Sequence, residues 1–471
     1  MLPQPGIIWR MKRELFLKIL KGGGAAFLLY LLLFADYLRR SSPGVIGSAL
    51  RELTAILLDP GTQWMAFLCL GIYFMVFLLL RWRGFPDFWR AGNRDLWLAS
   101  GVLILAALCA VHCVPSAPAL TFLGGTVLGQ GMAFGAYFEF YNSKWKFQNW
   151  FGVLVVSILV IFLSWASVWH TSAGHSYEYR SQTRWNGPWD NPNIFGLLMA
   201  TGVMLALGLT VASFLMLSGK IGKWLCALLC LLAAILMGRG LLHSFSRGAW
   251  VGTVCGLAYL AVFGFGGFRI HQITGRQAYI SRFKKCWLPL SGALLTMVIL
   301  AFWHFRGTNW HPAQRAFSSV NATDFSWRNR IAAWEGALQM TAEHPFLGTA
   351  WGQPEPLYEH YYLPPKLTER GAFELNDYLM LGATVGIPAL FCFGMYLWLS
   401  LRGNVESRKQ KAEIQYVDWL RTICHAAAIV LLIGFWFDGG LFKLPTAATF
   451  WILLELGNVR NHETSQASKH E

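Results

Sequence analysis

Charged residues are scarce in this sequence. Only 13% of its 471 residues are Asp, Glu, Lys or Arg, against about 25% in an ordinary soluble domain. Hydrophobic residues make up 55% of the chain and aromatic residues 15%. This composition excludes a soluble globular protein, and the long apolar runs predict a chain that crosses a lipid bilayer repeatedly. The length leaves room for about a dozen spans but not for a second large soluble domain.

Cysteine motifs are also lacking. The nine cysteines include no Cys-x-x-Cys pair, and no His and Cys residues have the spacing of a zinc site. Most cysteines lie inside apolar runs, where the side chain behaves as a small hydrophobic group. The sequence therefore predicts neither a disulfide framework nor a metal site.

The net charge of +15 would be compatible with nucleic-acid binding, but its distribution argues against such a partner. With the N-terminus inside, most of the 39 Lys and Arg fall on the inner side, as the positive-inside rule requires. The predicted fold is an all-α polytopic membrane protein with about 12 transmembrane helices and cytoplasmic termini. The spans are expected near residues 22–36, 64–80, 95–112, 119–140, 150–169, 194–217, 224–238, 249–266, 287–304, 377–400, 422–437 and 440–456.

One long polar segment divides the chain. Residues 1–304 are expected to hold the first nine helices, 305–376 a long periplasmic loop, 377–456 the last three helices and 457–471 a cytoplasmic tail. Within the loop, apolar residues recur at helical spacing from Ser326 to Glu343, and His344-Pro345 ends the pattern. This pattern predicts a helix that lies over the bundle as a lid or platform.

Three predicted helices begin at the outer face, and arginines approach each of them. Asn191 and Asn193 mark the first start, Arg247 the second, and Asn376 with Asp377 the third. A helix N-terminus attracts anions, and arginine offers planar paired donors for a phosphate or diphosphate. The arginines near these starts are Arg180, Arg184, Arg247, Arg328 and Arg330.

Two other interpretations of these arginines stay open. Those of the first loop could extend to lipid headgroups beside a capped helix. Arg247 could pair with a carboxylate such as Asp190 or Glu374, although an arginine at that depth is a functional candidate by default. Asp438, between the last two spans, could pair with an arginine of the site, but a short polar turn is the favoured interpretation.

An ordered set of short motifs lies between about residues 150 and 400. The motifs are Arg184-x-x-Gly187-x-x-x-Asn191-Pro192-Asn193, Ser246-Arg247-Gly248, Arg330-x-x-x-Trp334, Pro345-x-x-Gly348, and Asn376-Asp377-Tyr378-Leu379 with Gly382 and Gly386. In these motifs the chain resembles the O-antigen ligase superfamily, which also includes Wzy-type polymerases and protein O-oligosaccharyltransferases.

This resemblance implies an inverting, metal-independent glycosyl transfer at the periplasmic face of the bacterial cytoplasmic membrane, as in lipopolysaccharide synthesis. The donor would be a glycan on undecaprenyl diphosphate, and the acceptor a hydroxyl group of a glycan, lipid or protein. The five arginines would bind the diphosphate, with Arg247 also catalytic. No cofactor is expected, because the diphosphate bond supplies the driving force.

The sequence departs from the family pattern at Leu375. A histidine commonly stands there in the family and is considered the base that activates the acceptor. Glu374 is the best-placed substitute, ahead of Asp377, His360 and Glu359. Alternatively, the protein catalyses transfer mainly through leaving-group stabilisation, or it binds the lipid-linked glycan without transferring it. A transporter or flippase for lipid-linked sugars is the further alternative, but the predicted spans hold few ionisable groups.

Overall fold

The computed structural model describes residues 23–34, 121–131 except 123, 150–169, 176–179, 182–216, 220–265, 325–349, 357–363, 376–406 and 415–458, with single residues 48, 52 and 72. This part is mostly helical, as predicted. Residues 121, 122 and 124–131 are helical. The other helices are α1 (Gly23–Phe34), α2 (Trp150–Val168), α3 (Pro192–Met216), α4 (Lys220–Ser244), α5 (Arg247–Tyr259), α6 (Phe325–Glu343), α7 (Asp377–Glu406), α8 (Gln415–Phe437) and α9 (Leu444–Leu456). Strands β1 (Ser176–Tyr179) and β2 (Gln182–Trp185) form a small antiparallel sheet, and Leu260–Phe265 continues α5 as a π-helix.

Five of these helices are long and apolar enough to cross a bilayer, namely α2, α3, α4, α7 and α8. Helices α1, α5 and α9 are apolar but shorter. Helix α4 extends beyond the predicted span 224–238, because Arg239 and His243 interrupt the apolar pattern but not the helix. The predicted spans near 64–80, 95–112 and 287–304 lie almost entirely outside the described residues.

Helix α3 is the centre of the bundle. It packs against α2, α4, α5, α8 and α9, and its first half is apolar and buried on every side, as expected for a helix surrounded by others. Helix α4, by contrast, exposes a run of large aliphatic side chains, which lipid would cover. They include Ile221, Leu225, Leu228, Leu229, Leu232, Ile235 and Leu236.

Small residues bring α5 close to α8. A Cβ atom added at Gly252 would lie 2.6 Å from the carbonyl oxygen of Val430, and one at Gly256 would lie 3.0 Å from that of Ala426. Glycines four residues apart allow the backbones of two membrane helices to approach closely. This packing places the beginning of α5 against the end of α8.

The end of α6 is joined to a break inside α7. At Gly386 the backbone turns to φ +84° and the helix is interrupted. Backbone groups freed by such a break must find other partners inside a membrane protein. The Ile387 N–H donates to the carbonyl oxygen of Pro345 at 2.8 Å, and the Thr349 N–H donates to that of Ala383 at 2.9 Å. The motif Pro345-x-x-Gly348 therefore secures α6 to α7.

We expect alanine at Gly348 or Gly386 to destabilise the protein by about 1–3 kcal/mol. A Cβ atom would lie 2.2 Å from the Thr384 carbonyl oxygen in the first case and 2.6 Å from that of Phe346 in the second, and both glycines have positive φ. Thermal unfolding of the purified protein in detergent measures the loss. Gly394→Ala is the matched control on α7, because nothing lies within 4 Å of its added Cβ. Equal melting temperatures for Gly386→Ala and Gly394→Ala would contradict this account of the break.

Candidate functional site

The candidate site lies at the end of the bundle where α3, α5 and α7 begin. The start of α3 packs on the turn between α4 and α5, since a Cβ added at Gly196 would lie 2.6 Å from Ser244 Oγ. The start of α7 contacts the loop between α8 and α9, where Asp377 Oδ2 accepts the Leu441 N–H at 2.7 Å. The same loop contacts the start of α5 through Asp438, described below. The starts of α5 and α7 therefore meet at one short loop, residues 438–443, and the start of α3 packs on the turn that precedes α5.

Each helix start has a side-chain cap. Asn191 Oδ1 accepts the Asn193 N–H at 2.8 Å. Ser246 Oγ accepts the Ala249 N–H at 3.2 Å, and Asn376 Oδ1 accepts the N–H groups of the next helical turn at 3.1 Å. A cap satisfies one or two of the four N–H groups at a helix start. The positive ends of three helix dipoles thus lie at the same end of the molecule.

Asp438 is the centre of a buried polar cluster that also contains Ser246 and Arg330. Its Oδ1 accepts a bond from Arg330 Nη2 at 3.1 Å, which is also an ion pair, and its Oδ2 accepts the hydroxyl of Ser246. Asp438 is 3% exposed and Arg330 is 7% exposed. A Cβ at Gly248 would lie 2.5 Å from Asp438 Oδ2, so the carboxylate reaches the start of α5 only because residue 248 is glycine.

This pairing corrects the favoured sequence interpretation of Asp438 as a short polar turn. The carboxylate ties together α5, α6 and the end of α8 in a buried cluster. Nothing local to Asp438 indicates this role, because the partners Ser246 and Arg330 are 192 and 108 residues away along the chain.

Arg184 lies at the starts of α3 and α5, on a strand that the sequence did not predict. The backbone of β2 places Arg184 opposite Tyr177 of β1. Arg184 is buried; its Nε donates to the last carbonyl group of α4, at Ser244, at 2.8 Å, and its Nη2 donates to Asn193 Oδ1 at 2.6 Å. Part of its donor capacity therefore holds the end of α4 on the start of α3.

The other predicted arginines differ in position. Arg247 is half-buried as the first residue of α5, between the two residues that contact Asp438. Arg330 is buried in the cluster, whereas Arg328 is exposed, because residues two apart on a helix do not share a face. Arg180 lies outside the described residues, as does Glu374.

The described candidates for the base that would activate the acceptor hydroxyl lie in different environments. Asp377 is 2% exposed and bonded to the 438–443 loop, so it has a structural role at the start of α7. Glu359 and His360 are on the π-helical turn Tyr358–Tyr362, where His360 is exposed and Glu359 is half-buried. Among the described His, Cys, Asp and Glu residues, no group of three is arranged to hold a metal ion.

The π-helical turn packs on α6 across Gly336, where a Cβ would lie 2.5 Å from the ring of Tyr358. Tyr358 is fully buried, and burial raises its pKa, so this side chain belongs to the packing and offers no surface to a sugar. The hydroxyl of Tyr362 donates to Glu343, and this bond raises the pKa of Tyr362 to about 12. Tyr361 stays exposed beside His360.

Residues 232–394 match the family model described as O-Antigen ligase. The resemblance to the O-antigen ligase superfamily is confirmed. The matched segment runs from the middle of α4 into α7 and includes Ser246, Arg247, Arg330 and Asn376, while Arg184 and Asp438 lie outside it. No curated protein matches the chain. The family implies glycan transfer of the O-antigen ligase or polymerase type, on lipid-linked substrates at a membrane.

Proposed function

We propose that this protein transfers a glycan from undecaprenyl diphosphate to an acceptor hydroxyl at the periplasmic face of the bacterial cytoplasmic membrane. The observation that carries the proposal is the convergence of three helix starts with Arg184, Arg247 and Arg330 at one end of the bundle. Two of these arginines, Arg247 and Arg330, lie in the segment that matches the O-antigen ligase family. Helix starts and guanidinium groups are both suited to a diphosphate.

The site residues would act mainly on the leaving group. The acceptor oxygen attacks the anomeric carbon from the face opposite the diphosphate, the bond from that carbon to the diphosphate breaks, and the configuration inverts. Negative charge grows on the diphosphate in the transition state, where fixed donors accelerate the reaction most. Arg330 is prepared for this role, because Asp438 holds its Nη2 while its Nε is buried without a hydrogen bond to any described residue.

Glu374 is the residue that we propose to take the proton from the acceptor hydroxyl. It stands directly before Leu375 and two residues before Asn376, the cap of α7. This position would bring a carboxylate to the same end of α7 that carries the cluster. The proposed reaction needs no metal ion or other cofactor.

The proposed topology has 12 helices, with both termini in the cytoplasm, as predicted from the apolar runs. In this arrangement α3, α5 and α7 begin at the periplasmic face, and residues 305–376 form the periplasmic loop to which α6 belongs. The alternation of the described helices supports it, since α3, α5 and α7 begin where α4 and α8 end.

Reconstituted transfer tests the proposal. The full-length protein in proteoliposomes would receive lipid-linked glycan and an envelope acceptor fraction, both isolated from a strain lacking its gene. We expect glycan on the acceptor and release of undecaprenyl diphosphate in equal amounts, with no loss of rate in EDTA. Movement of the intact donor between leaflets without transfer would instead indicate a transporter, and binding alone would indicate a non-catalytic protein.

A further inference from the structure

Asn329 is a buried amide that bonds to none of the described residues. It is 2% exposed, and neither its Oδ1 nor its Nδ2 makes a hydrogen bond to any described residue. Buried side-chain amides are nearly always bonded, because an unbonded one loses its hydration without compensation. The described residues therefore supply no partner for this side chain, and a bound ligand would supply one.

Asn329 is next to the candidate site along α6. On α6 it begins a buried stripe that continues at Ala333, Ala337 and Met340, with the spacing of one helix face. Helix α6 packs against α7 and the π-helical turn. The residue that follows Asn329 is Arg330, which is fixed on Asp438. Asn329 therefore lies within one residue of the group that we propose to bind the diphosphate.

The side-chain amide of Asn376 is also buried and only partly hydrogen-bonded within the described part of the chain. Asn376 is 1% exposed, and its Oδ1 caps α7, but its Nδ2 is buried without a hydrogen bond to the described part of the chain. The next residue, Asp377, binds Leu441, three residues after Asp438. Each of the two buried amides is thus next in sequence to a residue that bonds to the loop joining α8 to α9, Arg330 to Asp438 and Asp377 to Leu441.

The chemistry of these amides differs from that of the arginines. An arginine only donates hydrogen bonds, and phosphate oxygens only accept them, whereas an amide side chain offers both functions. The Oδ1 of Asn329 needs a donor, which a diphosphate does not supply. A sugar hydroxyl both donates and accepts, so it can bond to an amide through either atom.

We propose that Asn329 and Asn376 bind hydroxyl groups of the sugar that is attached to the diphosphate. This inference rests on the proposed function and adds that different residues of the site bind the two parts of the donor. Arginines recognise the diphosphate, and the two asparagines recognise the first sugar of the donor. The selectivity for the glycan then depends on Asn329 of α6 and on Asn376 at the start of α7.

Asn329→Leu tests this division, because leucine has a similar size and no polar atoms. In the reconstituted transfer assay we expect the KM for the lipid-linked glycan to rise about tenfold or more. The inhibition constant of undecaprenyl diphosphate, which carries no sugar, should stay within about twofold. The melting temperature should not fall, because the variant removes a buried amide that bonds to none of the described residues. Gln339→Leu, on the exposed side of α6, should change none of these values.

Asn376→Asp is the second variant. It keeps an oxygen acceptor for the cap of α7 and removes the Nδ2 donor, and a carboxylate is favourable at a helix start. We expect a higher KM for the glycan donor at an unchanged melting temperature.

Three results would overturn the inference. These are an unchanged donor KM in both variants, equal increases in the donor KM and the inhibition constant, or an increase confined to the KM of the acceptor. Each would leave the proposed transfer reaction intact, provided that the wild type is active. A wild type without transfer would instead disprove the proposed function itself.

Discussion

Replacing Arg247 by alanine should lower the rate of transfer about a hundredfold to a thousandfold, as loss of a transition-state donor does in other enzymes. Arg247 begins α5 beside Ser246 and Gly248, the two residues in contact with Asp438. In the proposed reaction its guanidinium would lie where charge grows on the leaving diphosphate. Arg247→Lys should restore only a small part of the rate, because lysine lacks the planar paired donors. Initial rates in proteoliposomes measure both effects.

Arg328→Ala is the matched control for this experiment. Arg328 is exposed on α6, outside the cluster, and its substitution should leave the rate within about twofold and the stability within about 0.5 kcal/mol. An equal loss in both alanine variants would point to a general effect of surface charge. An unaltered rate in Arg247→Ala would exclude Arg247 from the diphosphate site.

Replacing Asp438 by alanine should lower the free energy of unfolding by about 3–5 kcal/mol, the usual cost of removing one partner of a buried ion pair. The side chains of Arg330 and Asp438 are 9% and 1% exposed, so water does not replace the lost carboxylate. Ser246 loses the acceptor of its hydroxyl at the same time. Transfer should fall as well, because Arg330 is no longer held in place. Unfolding in detergent, monitored by far-UV circular dichroism, measures the change in the free energy of unfolding.

A double variant separates the two consequences. Arg330→Met combined with Asp438→Leu removes both charges, and such replacements of a buried pair are often neutral or stabilising. We expect this protein to regain most of the lost stability and none of the lost transfer. A loss of stability below about 1 kcal/mol in Asp438→Ala would show that the pair does not hold α6 on the bundle.

The parts of the fold that depend on local pattern could be predicted from the sequence. Apolar runs indicated the candidate spans, and helical spacing with His344-Pro345 indicated α6. The start of α3 was recognisable from Asn191 and Pro192, since a cap and a proline in the first turn are local signals.

The contacts between distant segments could not be predicted in this way. Helical periodicity places Arg328 and Arg330 on different faces of α6, but it does not tell which face is buried. Asp438 and Gly248 look like ordinary turn residues until α5 and α8 are known to be neighbours. The sequence also gives no sign that the amide of Asn329 is buried and bonds to none of the described residues, because that depends on the groups that surround it.

If this protein consumes a lipid-linked glycan on the outer side of the membrane, that glycan should accumulate there when the protein is missing. The most direct measurement uses a strain lacking the gene, from which polyprenyl-diphosphate glycans are extracted before and after an impermeant glycosidase is added to intact spheroplasts. We predict that these glycans accumulate and that the added glycosidase cleaves them, because they lie on the outer leaflet without a transferase. Accumulated glycans that the glycosidase cannot reach would place the defect before translocation and would contradict the proposed transfer.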